Sequence, residues 1–219
     1  MGAKGGYIGL QKAKLALLDD NNKVITSGGL NDDGDGIYTV TVSEDLGANA
    51  ASLTGLAGST TSVYGNNTRV KMSVGKAQPS IALTVNAFNY ETLNKILGRK
   101  DLGNGKFNFE GDPVNLAMAV YSNTDDGGDI IFGFYKGIMT PGDLSLATDQ
   151  DTENRVTDAL TYTPLGNEDG DYGVIAWSDA DGYEESDVLN TIFPQASSDT
   201  TTTTTVAAST TTTSTTTVA

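Results

Sequence analysis

The side chains best equipped for chemistry in this 219-residue chain are its 28 Asp and Glu. Paired carboxylates can run glycoside hydrolysis when two of them flank a cleft at a set separation. With so many acids such pairs arise by number alone, and no spacing singles one out. Oxygen-rich runs can also hold calcium. Asn31, Asp33, Asp35 and Gly36 reproduce the first half of an EF-hand loop, but Val42 stands at the twelfth position, where a bidentate Glu is required. Asp/Gly-rich turns explain this run better than a calcium site does. The clusters Asn167-Glu168-Asp169-Gly170-Asp171 and Asp179-Ala180-Asp181-Gly182 leave the same two readings open.

Other chemistries are closed by composition. The chain has no His and no Cys. A Ser-His-Asp or Cys-His nucleophile, a zinc site of the usual ligands and a haem held by His or Cys are therefore excluded, as is a disulfide scaffold. A Walker loop and a Gly-x-Ser-x-Gly elbow are both missing from the sequence. Asn66-Asn67-Thr68 fits the glycosylation pattern, but no secretion signal precedes it. The sequence thus offers no catalytic, cofactor-binding or metal-binding residues and no cofactor, and it reads as a non-enzyme. A calcium-dependent adhesin or binding module with Asp/Gly-rich loops is the alternative function.

The formal charge is −15, with 13 Lys and Arg in all. Residues 1–124 hold 11 acids and 11 bases, whereas residues 125–219 hold 17 acids against Lys136 and Arg155 alone. Such asymmetry marks an interaction surface or a solvated acidic face. A protein this acidic does not grip nucleic acid through phosphates, which requires Lys and Arg.

The elements that must position these residues repeat with period two. Val70, Met72 and Val74 alternate with polar neighbours; so do Ile81, Leu83 and Val85, then Val114, Leu116, Met118 and Val120. Ile130, Phe132 and Phe134 follow a turn at Asp125-Asp126-Gly127-Gly128, which predicts a hairpin across Tyr121–Ile130. Val156, Leu160 and Tyr162 form a further segment, as do Val174, Ala176 and Trp177, with Trp177 expected in the core. These read as half-buried strands of a mainly antiparallel β-sandwich or barrel. Asn89 can cap a short helix bearing Leu93, Ile96 and Leu97 and ending at Gly98. A second helix starts near Ser186 and stops at Pro194. Each helix is expected to plug an open edge of the sheet core. The small-residue stretch from Glu44 to Asn67 reads as a long functional loop.

Residues 1–195 are expected to form one domain. From Thr200 to Ala219, 13 of 20 residues are Thr, so 196–219 read as a disordered Thr/Ser-rich tail or an exterior decoration. Neither a targeting segment nor a membrane span is predicted, and a protein made and used in a cytoplasm, or released without a secretion signal, is expected.

One resemblance adds to this reading. Gly65 to Lys76, running into Pro79–Asn86 and then Lys95-Ile96-Leu97-Gly98, is similar to the major tail proteins of long-tailed, non-contractile bacteriophages. The blocks Phe132–Gly137, Asp149–Leu165, Val188–Pro194 and Leu10–Thr26 agree in order, so the likeness spans roughly residues 7–195. It implies a tail-tube β-sandwich or barrel with one flanking α-helix and a short C-terminal helix. It further implies a virion tail component assembled in the host cytoplasm, six copies closing into rings with joined inner sheets, and rings stacking into a tube. DNA would pass through the lumen without specific binding. Implied partners are the chain itself, a tape-measure protein, a tail terminator and distal tail or baseplate proteins. A flexible loop at Leu46–Tyr64 and the N-terminal arm are expected to reach the next ring. An acidic bore would repel phosphate; against that, Lys12, Lys14, Arg69 and Lys71 fall on polar strand faces that could line it.

Overall fold

The structure, a computed structural model, describes residues 6–31, 34–148 and 155–195. Its first half runs β1 (Ile8–Leu17), β2 (Ile37–Thr39), α1 (Val42–Asp45), β3 (Ala48–Thr54), β4 (Thr60–Gly65), β5 (Thr68–Val74), β6 (Ser80–Val85) and α2 (Tyr90–Ile96). Then follow β7 (Arg99–Asp101), β8 (Phe107–Gly111), β9 (Leu116–Asn123), β10 (Asp129–Pro141), β11 (Asp158–Pro164), β12 (Gly173–Trp177) and α3 (Glu185–Ile192). The chain is mainly β, as its alternation predicts.

The main sheet has the order β2-β1-β9-β10-β11-β6-β3, with β12 added to β10, and every pairing is antiparallel. β10 serves two halves of this sheet. Residues Asp129 to Phe134 pair with β9 and β12, and after an irregularity residues Gly137 to Pro141 pair with β11. The sheet folds over at that point, and the larger core fills the space between its halves. Ala13, Leu15, Met118 and Phe134 meet Ile81, Leu83, Leu160 and Tyr162 there. A second core lies on the far side of β9, where Ala16, Ala117, Ala119, Tyr121 and Ile131 pack under Ile192 and Phe193 of the α3 end.

β9 is consequently buried on both faces from Leu116 through Ser122. Its alternation of Leu116, Met118 and Val120 with Ala117 and Ala119 is large against small rather than apolar against polar. The small side is what lets a helix approach. Gly133 completes that approach, because a Cβ there would collide with the Ile192 side chain.

Both expected helices form. Asn89 caps α2 by accepting from the Glu91 and Thr92 amides at 2.9 and 3.4 Å, and Gly98 ends it at φ +63°. The left-handed φ suits glycine, and Asp112 carbonyl leaves no room there for a Cβ. α3 ends before Pro194. It covers a sheet face rather than plugging an edge, while Ile96 and Leu97 of α2 enter the main core.

Three expectations need correcting. The stretch from Glu44 to Asn67 is not an unstructured loop: it contains the end of α1, β3 and β4. Its Ala, Ser and Thr carry little strand signal of their own, and pairing with β6 and β5 decides their conformation. β5 is not half-buried, since all seven of its residues are exposed. Trp177 is only partly buried, its ring 5.8 Å from that of Tyr7 at the end of β12. Asp33, the block Asp149–Glu153 and the Thr-rich tail lie outside the described residues.

Candidate assembly surfaces

The oxygen-rich runs act as turns. Asp35 Oδ1 accepts from the Ile37 amide at 3.0 Å, and Gly36 takes φ +77°. Asn167 Oδ1 accepts from the amides of Asp169 at 3.0 Å and Asp171 at 2.8 Å. Val42, at the place of an EF-hand Glu, opens α1 with an exposed side chain. Among the described residues no group of three or more acidic side chains is arranged to hold a metal ion.

Among the described residues one carboxylate is fully buried, and it was not foreseen. Asp45, 0% exposed, accepts from Tyr38 Oη at 2.8 Å, the Thr41 amide at 3.1 Å and the Asn89 amide at 3.0 Å. It ties β2, α1 and the start of α2 together. Burial, then Asp45 itself, raises the Tyr38 hydroxyl above its ordinary range. Nothing in the small-residue stretch around Asp45 announces this role.

A second polar cluster seats α3. Tyr121 Oη donates to Glu185 Oε1 at 3.0 Å, Lys14 Nζ lies 4.0 Å from the same oxygen, and Lys12 Nζ sits 4.3 Å from the Tyr121 ring centroid. Burial, followed by Lys12, lowers the Lys14 pKa. Lys12 and Lys14 are thus occupied on the side of β1 that also carries Ala16 beneath α3.

The other half of the sheet has no such cover. Ile81, Leu83, Leu160 and Tyr162 point into the core. By the period of two, Ala82, Thr84, Thr161 and Thr163 point away from it, with Ser52 and Thr54 alongside on β3. The paired segments 48–54, 80–85, 137–141 and 159–164 contain no Asp, Glu, Lys or Arg. Among the described residues no element packs over this face. Among the described residues both its edges are open: β3 pairs only with β6, and β10 has no strand beyond Gly137 on the side away from β11.

β4 and β5 form a hairpin that pairs only with itself among the described strands. It stands in the connection between Thr54 of β3 and Ser80 of β6, which face each other at one end of this half-sheet. Met72 and Val74 share one exposed face, and a register shift at Val70 puts Arg69 and Lys71 on opposite faces. The opposite end of the half-sheet, where Asp158 pairs with Val85 and Leu160 with Pro141, carries a groove of about 280 Å³. Leu93, Leu97, Phe109, Pro141 and Leu144 line it, and Phe109 is 96% exposed.

Open strand edges, an uncovered sheet face and a solitary exposed hairpin are surfaces suited to association with other chains. The family that this describes is also the one its sequence fits. The chain matches the family model for the phage tail tube protein over residues 6–201, and it belongs to that family. No curated protein compared with it matches. It is therefore a structural component of the phage tail, a mainly β protein that self-assembles into the tail tube. No helix among the described residues is long and apolar enough to cross a membrane.

Proposed function

We propose that this chain is the repeating subunit of stacked rings, each closed by joining the four-strand half-sheets of neighbouring copies, and that the rings form the conduit for DNA during ejection. The observation that carries this is the pair of open edges flanking one uncovered sheet face. An unpaired edge is a template for another strand, and a closed ring removes all such edges at once. Adding the β3 edge of one copy to residues 138–141 of β10 in the next continues the sheet around an axis. The hexamer is the closure that the family resemblance implies.

In such a ring the uncovered face lines the bore. Its hydroxyl and methyl side chains offer phosphate no cation to bind, so DNA slides without ionic adhesion. Lys12 and Lys14 are held beside Glu185 and Tyr121, and Arg69 and Lys71 lie on the hairpin, so none of the four belongs to this face. The wall so built is neutral rather than acidic. The β4–β5 hairpin takes the place of the expected loop as the element that reaches the adjacent ring. Burying Met72 and Val74, which share a face, there is worth roughly 1.5–3 kcal/mol for each side chain. Tape-measure, terminator and distal tail or baseplate proteins are the remaining partners, and the virion tail is the site of action after assembly in the host cytoplasm.

Negative-stain microscopy of the purified full chain tests this. Rings or tubes that grow with concentration are expected. Particles that stay monomeric at high concentration, with and without tail partners, would overturn the proposal.

A further inference from the structure

We infer that α1 of one copy seats in the groove between α2, the β7–β8 hairpin and the β10–β11 connection of the next copy in the same ring. Val42 and Leu46 are the side chains it inserts. This rests on the ring reading and adds to the joined sheets an apolar contact beside each seam.

The first ground is strand direction. Every pairing from β10 through β11 and β6 to β3 is antiparallel, so β3 runs opposite to residues 137–141 of β10. A neighbour's β3 added to the open β10 edge is then antiparallel as well, and its Ala48 end meets the Pro141 end. α1 lies just beyond Ala48. The carbonyls of Asp45 and Gly47 accept from the Ala87 and Asn86 amides at 3.0 and 3.1 Å, and that of Leu46 accepts from Asn86 Nδ2 at 3.0 Å. Residues 45–47 thereby carry the line of β3 past the end of β6. The groove lies just beyond Pro141 and includes Asp158, which pairs with Val85; Ala48 pairs with Val85 from the other side. α1 and the groove thus share one end of the half-sheet and stand at its two opposite edges. Two different patches so placed make a heterologous contact, which repeats around an axis until the ring closes.

The second ground is chemistry. Val42 is 77% exposed and Leu46 44%, and the groove bares Phe109 and Leu144. Large apolar side chains left in water on both surfaces are matched by joining them. α1 is also held ready to dock. Asp45 anchors it through Tyr38, Thr41 and Asn89, and the Val42 side chain lies over Gly47, where a Cβ would stand 3.3 Å from Val42 Cγ2. An element fixed in advance loses little freedom on binding. The buried carboxylate thereby presents an interface as well as bracing its own chain. Charge adds direction. The groove holds one cation, Arg99, whose Nη1 donates to Asn94 Oδ1 at 3.2 Å, and two acids, Asp143 and Asp158. Asp158 already accepts from the Phe88 amide at 2.7 Å, and Asp143 is exposed. Glu44, exposed on α1, complements Arg99, whereas α1 meeting α1 would set two Glu44 carboxylates against each other.

The chain has no Cys, so introduced thiols are unambiguous reporters. Full-length Val42→Cys and Leu144→Cys chains, mixed, assembled and treated with a short bismaleimide, are expected to give a covalent dimer containing one of each. Either variant alone is expected to give none. A chain carrying both changes is expected to give a ladder of covalent multimers that stops at one ring. Assembled rings that yield no mixed dimer, or pairs of like variants in its place, overturn the α1 seat and leave the ring reading standing. A ladder that runs on past one ring puts the contact between rings and overturns the seat as well. Wild-type chain that forms neither rings nor tubes overturns both. Val42→Asp provides a second arm. At a side chain so exposed the thermal melt of the unassembled chain is expected to stay unchanged, while rings are lost at concentrations where wild type forms them. Rings formed by Val42→Asp in wild-type yield would overturn the seat.

Discussion

β9 and β5 read alike and end in opposite surroundings. Leu116, Met118 and Val120 alternate along one, Val70, Met72 and Val74 along the other, yet the first strand is buried on both faces and the second on neither. What differs is the intervening residues. Ala117 and Ala119 admit α3 closely, whereas Arg69 and Lys71, set on opposite faces by the register shift at Val70, keep β5 in solvent. An apolar stripe therefore states that cover is required, not which chain supplies it. In β9 the cover is intramolecular; in β5 no described element supplies it.

The contrast can be broken most forcefully at β9. Leu116→Ala empties a site that is fully buried between the half-sheets, and a loss of about 2–5 kcal/mol is expected in denaturant unfolding of the unassembled chain. Asp45→Ala comes next. It leaves the Tyr38 hydroxyl and the Thr41 and Asn89 amides without their acceptor, and about 1–3 kcal/mol should be lost in the same measurement. Asn89→Ala removes only the cap of α2, and about 0.5–2 kcal/mol is expected. Val70→Ala should change the stability of the unassembled chain by no more than about 0.5 kcal/mol, while visibly weakening tube assembly. A large loss of monomer stability on Val70→Ala would break the contrast, because it would give β5 an intramolecular role.

The buried tyrosines sharpen the same point through pH. Tyr38, Tyr121 and Tyr162 all have hydroxyls raised above the ordinary 10.0, in each case first by burial. A raised folded-state value means that the native chain keeps protons that the unfolded chain releases. Their contribution is fully present below about pH 10 and is lost as pH climbs beyond it. Monomer stability should accordingly fall above pH 10 in alkaline titrations followed by circular dichroism.

Sequence pattern made much of this fold legible. The Asn89 cap, the Gly98 and Pro194 stops and the Asp125–Gly128 turn are local signals, and the structure places elements accordingly. β3 was hidden because Ala48 to Thr54 holds a single large side chain, Leu53, and its conformation is set by pairing with a distant strand. Asp45 was hidden for a related reason. Its partners are separated along the chain, Asn89 by 44 positions, and only the tertiary fold assembles them. The assembly surfaces were half legible: the alternation of β5 was visible, but its exposure depends on what the rest of the chain leaves uncovered.

β10 runs unbroken for 13 residues from the sheet beneath α3 to the open edge at Pro141. One piece of backbone thus connects the interior of the subunit to the edge that the proposed ring would join to its neighbour. Tension applied across that seam travels along a strand and loads its cross-strand hydrogen bonds together instead of peeling them singly. In the proposed ring the wall would in this sense be a hoop anchored in every core it passes.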